Sequence, residues 1–149
     1  MVFDGYHHSN SFVKWIGGIY AVPSLTHDPI KTEDDMLENQ TELKNRIHEQ
    51  ANAFRKLSPE LWQAKDALTQ CAYKNGALSA KTKRLMAMTT AIVQGCRACI
   101  LYQTETALKL GAGVDEILEC IGVAVSLGGT LAEGQATRVI EFLEEKNRL

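Results

Sequence analysis

From Lys31 onward apolar residues recur at the 3.6-residue spacing of amphipathic helices, and no segment sustains the two-residue alternation of a half-buried strand. The pattern predicts a first helix capped at Thr41 and running to about Lys56, with Leu43, Ile47 and Ala51 along one side. Ser58-Pro59 predicts a second start, an N-cap followed by proline at the first helical position. Leu61, Trp62, Leu68, Cys71 and Ala72 mark its buried side, and Asn75-Gly76 stops it. A third helix, capped by Ser79, carries Leu85, Met88, Thr89 and Ile92 on one face and stops at Gly95; Met86 reads as core with Met88. A fourth spans Cys96 to Leu110, where Gly111-Ala112-Gly113 turns the chain. The fifth opens at Val114 or Asp115, with Ile117, Leu118, Ile121, Ala124 and Val125 inward, and ends at Gly128-Gly129. The sixth runs from Thr130 to about Lys146, with Leu131, Val139, Ile140, Phe142 and Leu143 inward.

This predicts an all-α helical bundle in which helices three and four form an antiparallel hairpin with Cys96-Arg97-Ala98-Cys99 at its bend. Residues 1–40 differ from the rest and are read as an N-terminal arm, leaving 41–149 as the helical domain. The arm holds Pro23, Pro29, paired His7-His8 and an aromatic-rich run from Phe12 to Tyr20 that would pack on the domain or on a neighbouring subunit. Small residues on the helical faces, Ala87, Ala91, Ala107, Gly122, Ala124, Ala132, Gly134 and Ala136 among them, permit close helix approach within a chain or between chains, so an oligomer is expected.

Composition narrows the function classes. The 149 residues suit one domain, and a formal charge of -2 carries no nucleic-acid signature. The short cluster Lys81, Lys83 and Arg84 reads as a solvated helix face. The start of the chain lacks a basic region before an apolar run, and no apolar stretch reaches the roughly 18 residues of a membrane span, so a cytoplasmic protein without membrane contact is expected. In a reducing compartment the four cysteines do not read as a disulfide framework, and a C-x-x-C is redox-active or metal-binding more often than structural.

The unpaired N–H groups at a helix start carry partial positive charge, which favours the thiolate of a cysteine placed there. Cys96, Cys99 and Gln103 stand at i, i+3 and i+7, on one face of the fourth helix. Cys71 and Cys120 sit on apolar stripes and read as small apolar residues; they would complete a zinc site with Cys96 and Cys99 only if the bundle gathered all four, and no metal is expected. Glu105 and Glu133 are the acidic residues nearest the cysteines in sequence, Tyr102 lies beside them, and His48 is the one histidine within the helical body.

Three segments together resemble the carboxymuconolactone decarboxylase family, and specifically its alkylhydroperoxidase-D-like branch. They are Leu78 to Met88, Gly95-Cys96-Arg97-Ala98-Cys99, and Ala107 to Ile117, with Gly128-Gly129 at the family's glycine-rich break. The resemblance covers about residues 58–145. It implies an all-helical subunit that assembles as a homotrimer or homohexamer, with no cofactor. It also implies a disulfide-forming site in which Cys99 attacks a peroxide and Cys96 resolves the resulting sulfenic acid. A peroxide or disulfide would be the substrate, and a dithiol would return the electrons. The family pattern places a glutamate twelve residues before the first cysteine and a histidine four after the second, and here those positions hold Arg84 and Gln103. Arginine stays protonated and glutamine does not titrate, so neither relays a proton; Arg84 would favour a thiolate by charge and Gln103 would orient a sulfur or oxygen. Two function classes follow. One is a thiol–disulfide oxidoreductase of peroxidase type, slowed by the missing relay. The other is a non-redox member of the same fold, a small-molecule lyase or a binding and assembly protein.

Overall fold

The computed structural model describes residues 38–149, and the readings made for the N-terminal arm lie outside the described residues. Five helices account for the described chain, with no strand among them: α1 (Gln40–Leu57), α2 (Pro59–Tyr73), α3 (Ala80–Gln94), α4 (Arg97–Lys109) and α5 (Val114–Glu145). The core is built by α3, α4 and α5. Met88, Ile92, Ile100, Ile117, Val139 and Leu143 are fully buried there, with Ala107, Ala124 and Ala132 at the places where helices approach closely. Helix α1 lies against α4 and α5 through a second small cluster of Leu43, Leu101 and Phe142.

The predicted fifth and sixth helices run as one span, broken at Gly129, whose φ of 59° and ψ of -149° belong to glycine alone. A Cβ on Gly128 would stand 2.6 Å from the Cβ of Ala132, so the break also needs a bare backbone at its first glycine. Because the two halves join, α5 is long and apolar enough by length and composition to cross a membrane, unlike any single stretch read from the sequence. Its inner face is nonetheless committed to the protein core through Ile117, Ala124, Ala136, Val139 and Phe142.

Several expectations are corrected. The cap of α1 is Asn39, whose Oδ1 accepts from the Glu42 N–H at 2.8 Å, and not Thr41. Ser58 makes no side-chain cap bond, although Pro59 does open α2. Helix α2 buries none of its residues fully: of the predicted stripe, Leu61, Leu68, Cys71 and Ala72 face outward and Trp62 alone turns partly in, against Phe54. The stripe has amphipathic spacing, but α2 stands at the edge of the bundle and packs mainly on α1 and α3 among the described residues. Met86, Leu118 and Leu131 are exposed for the same reason, each lying on the outer flank of an apolar helix. Lys81, Lys83 and Arg84 are not a solvated face. Lys81 pairs with Glu116 at 2.8 Å, and Lys83 donates to the carbonyls of Ala72 and Lys74 at the end of α2.

The two ends of the described chain are joined by Glu145. Its carboxylate accepts from the backbone N–H groups of Gln40 and Thr41, both at 2.7 Å, and from the Thr41 hydroxyl at 2.6 Å. These are unpaired donors of the first turn of α1, so a negative charge from α5 completes that turn. Partial burial pushes the Glu145 carboxyl upward, but the Thr41 hydroxyl and the two N–H groups outweigh it and hold the group below the usual carboxylate value. A carboxyl held low in the folded state contributes its stability above the unfolded pKa and loses it as pH falls through the folded one. Glu145→Gln is therefore expected to cost about 1–2 kcal/mol at neutral pH and to flatten the acid side of the stability profile below about pH 4.5. Urea midpoints of both proteins across that range check this, and equal midpoints at neutral pH would refute it.

Candidate functional site

The bend between α3 and α4 is closed by backbone bonds alone. Gly95 adopts φ 67°, its N–H donates to the Ile92 carbonyl at 3.1 Å, and the Cys96 N–H donates to the Ala91 carbonyl at 3.0 Å. A left-handed residue followed by this pair of bonds ends α3 within two residues and reverses the chain. Cys96 thereby becomes the N-cap of α4, its Sγ accepting the Cys99 N–H at 3.4 Å. One turn on, Cys99 stands with its Cα 5.2 Å from that of Cys96, and the two sulfurs are bonded as a disulfide. Cys99 is exposed, whereas Cys96 is half-buried.

Arg84 and Gln103 meet across the hairpin. Arg84 Nη1 on α3 donates to Gln103 Oε1 on α4 at 2.9 Å. Gln103 follows Cys99 by one helical turn and so shares its face. The Arg84 guanidinium also lies over the ring of Tyr73, 3.6 Å from its centroid, and 5.7 Å from the ring centroid of Tyr102. Gln103 Nε2 donates to Tyr73 Oη at 3.5 Å, closing a ring of three side chains from three helices. Tyr73 escapes sequence reasoning because it is the last residue of α2, and only the Lys83 bonds to the carbonyls around it bring it to the site. Gln135 is the second residue missed: it comes from α5, its Cγ and Cδ lie 3.9 Å from the Cβ position at Gly95, and its buried Oε1 has no hydrogen-bond partner among the described residues.

Neither of the acidic residues nearest the cysteines in sequence joins the Arg84–Gln103–Tyr73 ring. Glu105 bonds Lys44 and Lys109; partial burial pushes its carboxyl up, but those two ammonium groups prevail and hold it below the usual range. Glu133 and His48 are exposed on α5 and α1. Arg97, between the cysteines in sequence, is paired with Glu38 at 3.2 Å. Among the described residues no three Cys, His, Asp or Glu side chains converge on a metal position; Cys71 is exposed on α2 and Cys120 half-buried on α5.

With the geometry in place, comparison with known proteins is informative. The sequence pattern of the carboxymuconolactone decarboxylase family matches residues 59–142, more than half of the chain. The chain belongs to that family. A solved family member from Legionella pneumophila is 39% identical, with a TM-score of 0.68 over 71% of this chain and 95% of that one. A second, from Thermotoga maritima, is 27% identical with a TM-score of 0.63, over 70% of this chain and 89% of that one, and is described with a suggested role in antioxidative response. An uncharacterised protein of Cupriavidus necator is 27% identical over 110 residues, 72% of this chain and 97% of its own. The all-helical family fold and the paired cysteines thus agree with the resemblance read from the sequence.

Exposure separates the two sulfurs. In the reduced protein iodoacetamide is expected to modify Cys99 at least about threefold faster than Cys96, since access as well as thiolate character sets the rate. Peptide mapping by mass spectrometry after a short pulse checks this, and preferential labelling of Cys96 would reverse the assignment of the outer sulfur.

Proposed function

We propose that this family member is a thiol–disulfide oxidoreductase of alkylhydroperoxidase type. The observation that supports it is an exposed Cys99 bonded to Cys96 at the positively polarised start of α4. In the forward step the Cys99 thiolate attacks the terminal oxygen of a hydroperoxide. The S–O bond forms, the O–O bond breaks, and the alkoxide leaves to take a proton from water. Cys96 then attacks the sulfenic sulfur; the S–S bond forms, the S–O bond breaks, and the hydroxyl departs with the Cys96 proton as water. The peroxide gains two electrons and the cysteine pair loses them. An external dithiol returns two electrons and two protons through a mixed disulfide.

Arg84 favours the thiolate by charge and Gln103 orients the reacting oxygen, while neither returns a proton to the leaving group. General acid–base help is worth on the order of a hundredfold to ten-thousandfold, so turnover is slow. A non-redox role, as a small-molecule lyase or a binding and assembly protein, draws support from the same departure at Arg84 and Gln103. Peroxide-driven formation of the Cys96–Cys99 disulfide, followed by mass spectrometry, separates the two. The redox role expects stoichiometric oxidation, none in Cys99→Ser, and at least a tenfold faster step in Arg84→Glu/Gln103→His. A Cys96→Ser/Cys99→Ser protein that keeps small-substrate activity would instead establish the alternative.

We further propose that the protein works in a reducing cytoplasm as a homotrimer or homohexamer. Two apolar stripes support self-association: Leu61 and Leu68 on α2, the latter 70% exposed, and Val123, Leu127 and Leu131 on α5, with Leu127 79% exposed. Patches of this kind on a folded chain invite a protein partner, and the break at Gly129 suits protein packing better than lipid, where freed backbone groups find no partner. Sedimentation of the full chain is expected to give three or six copies, with Leu127→Glu shifting it to smaller species. A monomer for the unsubstituted protein would end this proposal.

A further inference from the structure

We propose that Arg84 forms an anion subsite beside the dithiol and that the organic substrate of this protein carries a carboxylate. The identity of the ligand as a substrate rests on the redox function proposed above, whereas the subsite rests on geometry alone. Among the described residues six cations pair with carboxylates, Lys44 and Lys109 on Glu105, Arg55 on Asp66, Lys81 on Glu116, Arg97 and Arg138 on Glu38, and Arg84 belongs with the cations that do not. What sets Arg84 apart is that neutral groups hold its guanidinium in place, the oxygen of Gln103 and the rings of two tyrosines. A glutamate at position 103 would neutralise the guanidinium; glutamine grips it and leaves its charge intact.

The guanidinium carries five N–H donors in a planar fork, and Gln103 is its one side-chain acceptor among the described residues. Stacking on Tyr73 holds the plane of that fork without occupying its edge. An arginine fixed in this way is prepared for bidentate binding of a carboxylate, because little rotamer freedom remains to be lost. The surroundings reinforce the sign of the field: Lys83 is its sequence neighbour, with its ammonium turned to the α2 carbonyls, and the start of α4 adds its own partial positive charge.

The subsite lies within reach of the chemistry. Gln103, which holds the guanidinium, is one turn from Cys99, a spacing of about 5–6 Å between Cβ atoms on a helix. A ligand whose carboxylate sits on Arg84 therefore needs only a few intervening carbons to bring its far end to the exposed Cys99. Tyr102, 49% exposed and adjacent to Gln103, offers a ring along which those carbons can lie.

The test begins with binding to the oxidised full chain, where no reaction occurs. The probes are 3-phenylpropionate and its uncharged amide, followed by NMR titration. The unsubstituted protein is expected to prefer the carboxylate by at least tenfold. Arg84→Gln and Gln103→Glu are each expected to abolish that preference, the first by removing the charge and the second by pairing with it, while Arg84→Lys keeps part of it. Equal binding of the two probes, or a preference untouched by either substitution, overturns the subsite. A second arm compares disulfide formation in the reduced protein by a hydroperoxy fatty acid and by its methyl ester. The acid is expected to react at least fivefold more efficiently through a lower KM, and to lose that advantage in Arg84→Gln. Oxidation by both peroxides at equal rates, with no carboxylate preference in binding, overturns the subsite and leaves the redox function standing. A carboxylate preference with no oxidation by either peroxide leaves the subsite standing and overturns the redox function together with the substrate assignment.

Discussion

The arrangement of this protein depends on a turn of two residues. With Gly95 left-handed and the N–H groups of Gly95 and Cys96 bonded back to Ile92 and Ala91, α3 ends and α4 begins with no loop between them. Three consequences follow from that closure. Cys96 is forced into the N-cap position, the C-x-x-C spacing falls on the first turn of a new helix, and α3 is held beside α4 closely enough for Arg84 to reach Gln103. A side chain at position 95 would be strained in that conformation, and relaxing the turn would separate the hairpin and the site together.

The charges around the bend are not all paired in the same way. Arg97, at the cysteines, is matched by Glu38, while Arg84 is held by an amide and two rings. Within the Arg84–Gln103–Tyr73 ring the guanidinium is held by an amide and a phenol rather than by a carboxylate. On the reading proposed above, such a site attracts anions and does not relay protons. Both properties come from the same two side chains.

The bundle also leaves apolar surface without a partner among the described residues. Helix α2 has amphipathic spacing but no buried residue, and α5 is buried along one side and bare along another. A long helix can bury only as much as its neighbours cover. The two other core helices, α3 and α4, and the crossing helix α1 cover the inner face of α5 and stop short of Val123, Leu127 and Leu131.

The sequence alone determined the helical class, most helix boundaries to within a few residues, the hairpin at Gly95, and the placement of Cys96 and Cys99 at a helix start. These are local properties, set by apolar periodicity, by glycine at a left-handed stop and by caps such as Ser79, so the information lies within a few residues of each feature. Arg84 and Gln103 were also legible as a pair of departures from a family pattern. Tertiary structure alone decided what surrounds them: Tyr73 carried in by the Lys83 bonds to the end of α2, Gln135 brought against the bend from α5, Glu105 withdrawn by Lys44, and Glu145 closing the first turn of α1. It also decided which apolar stripes face the core, because periodicity marks a face and only packing against another helix determines whether that face is covered.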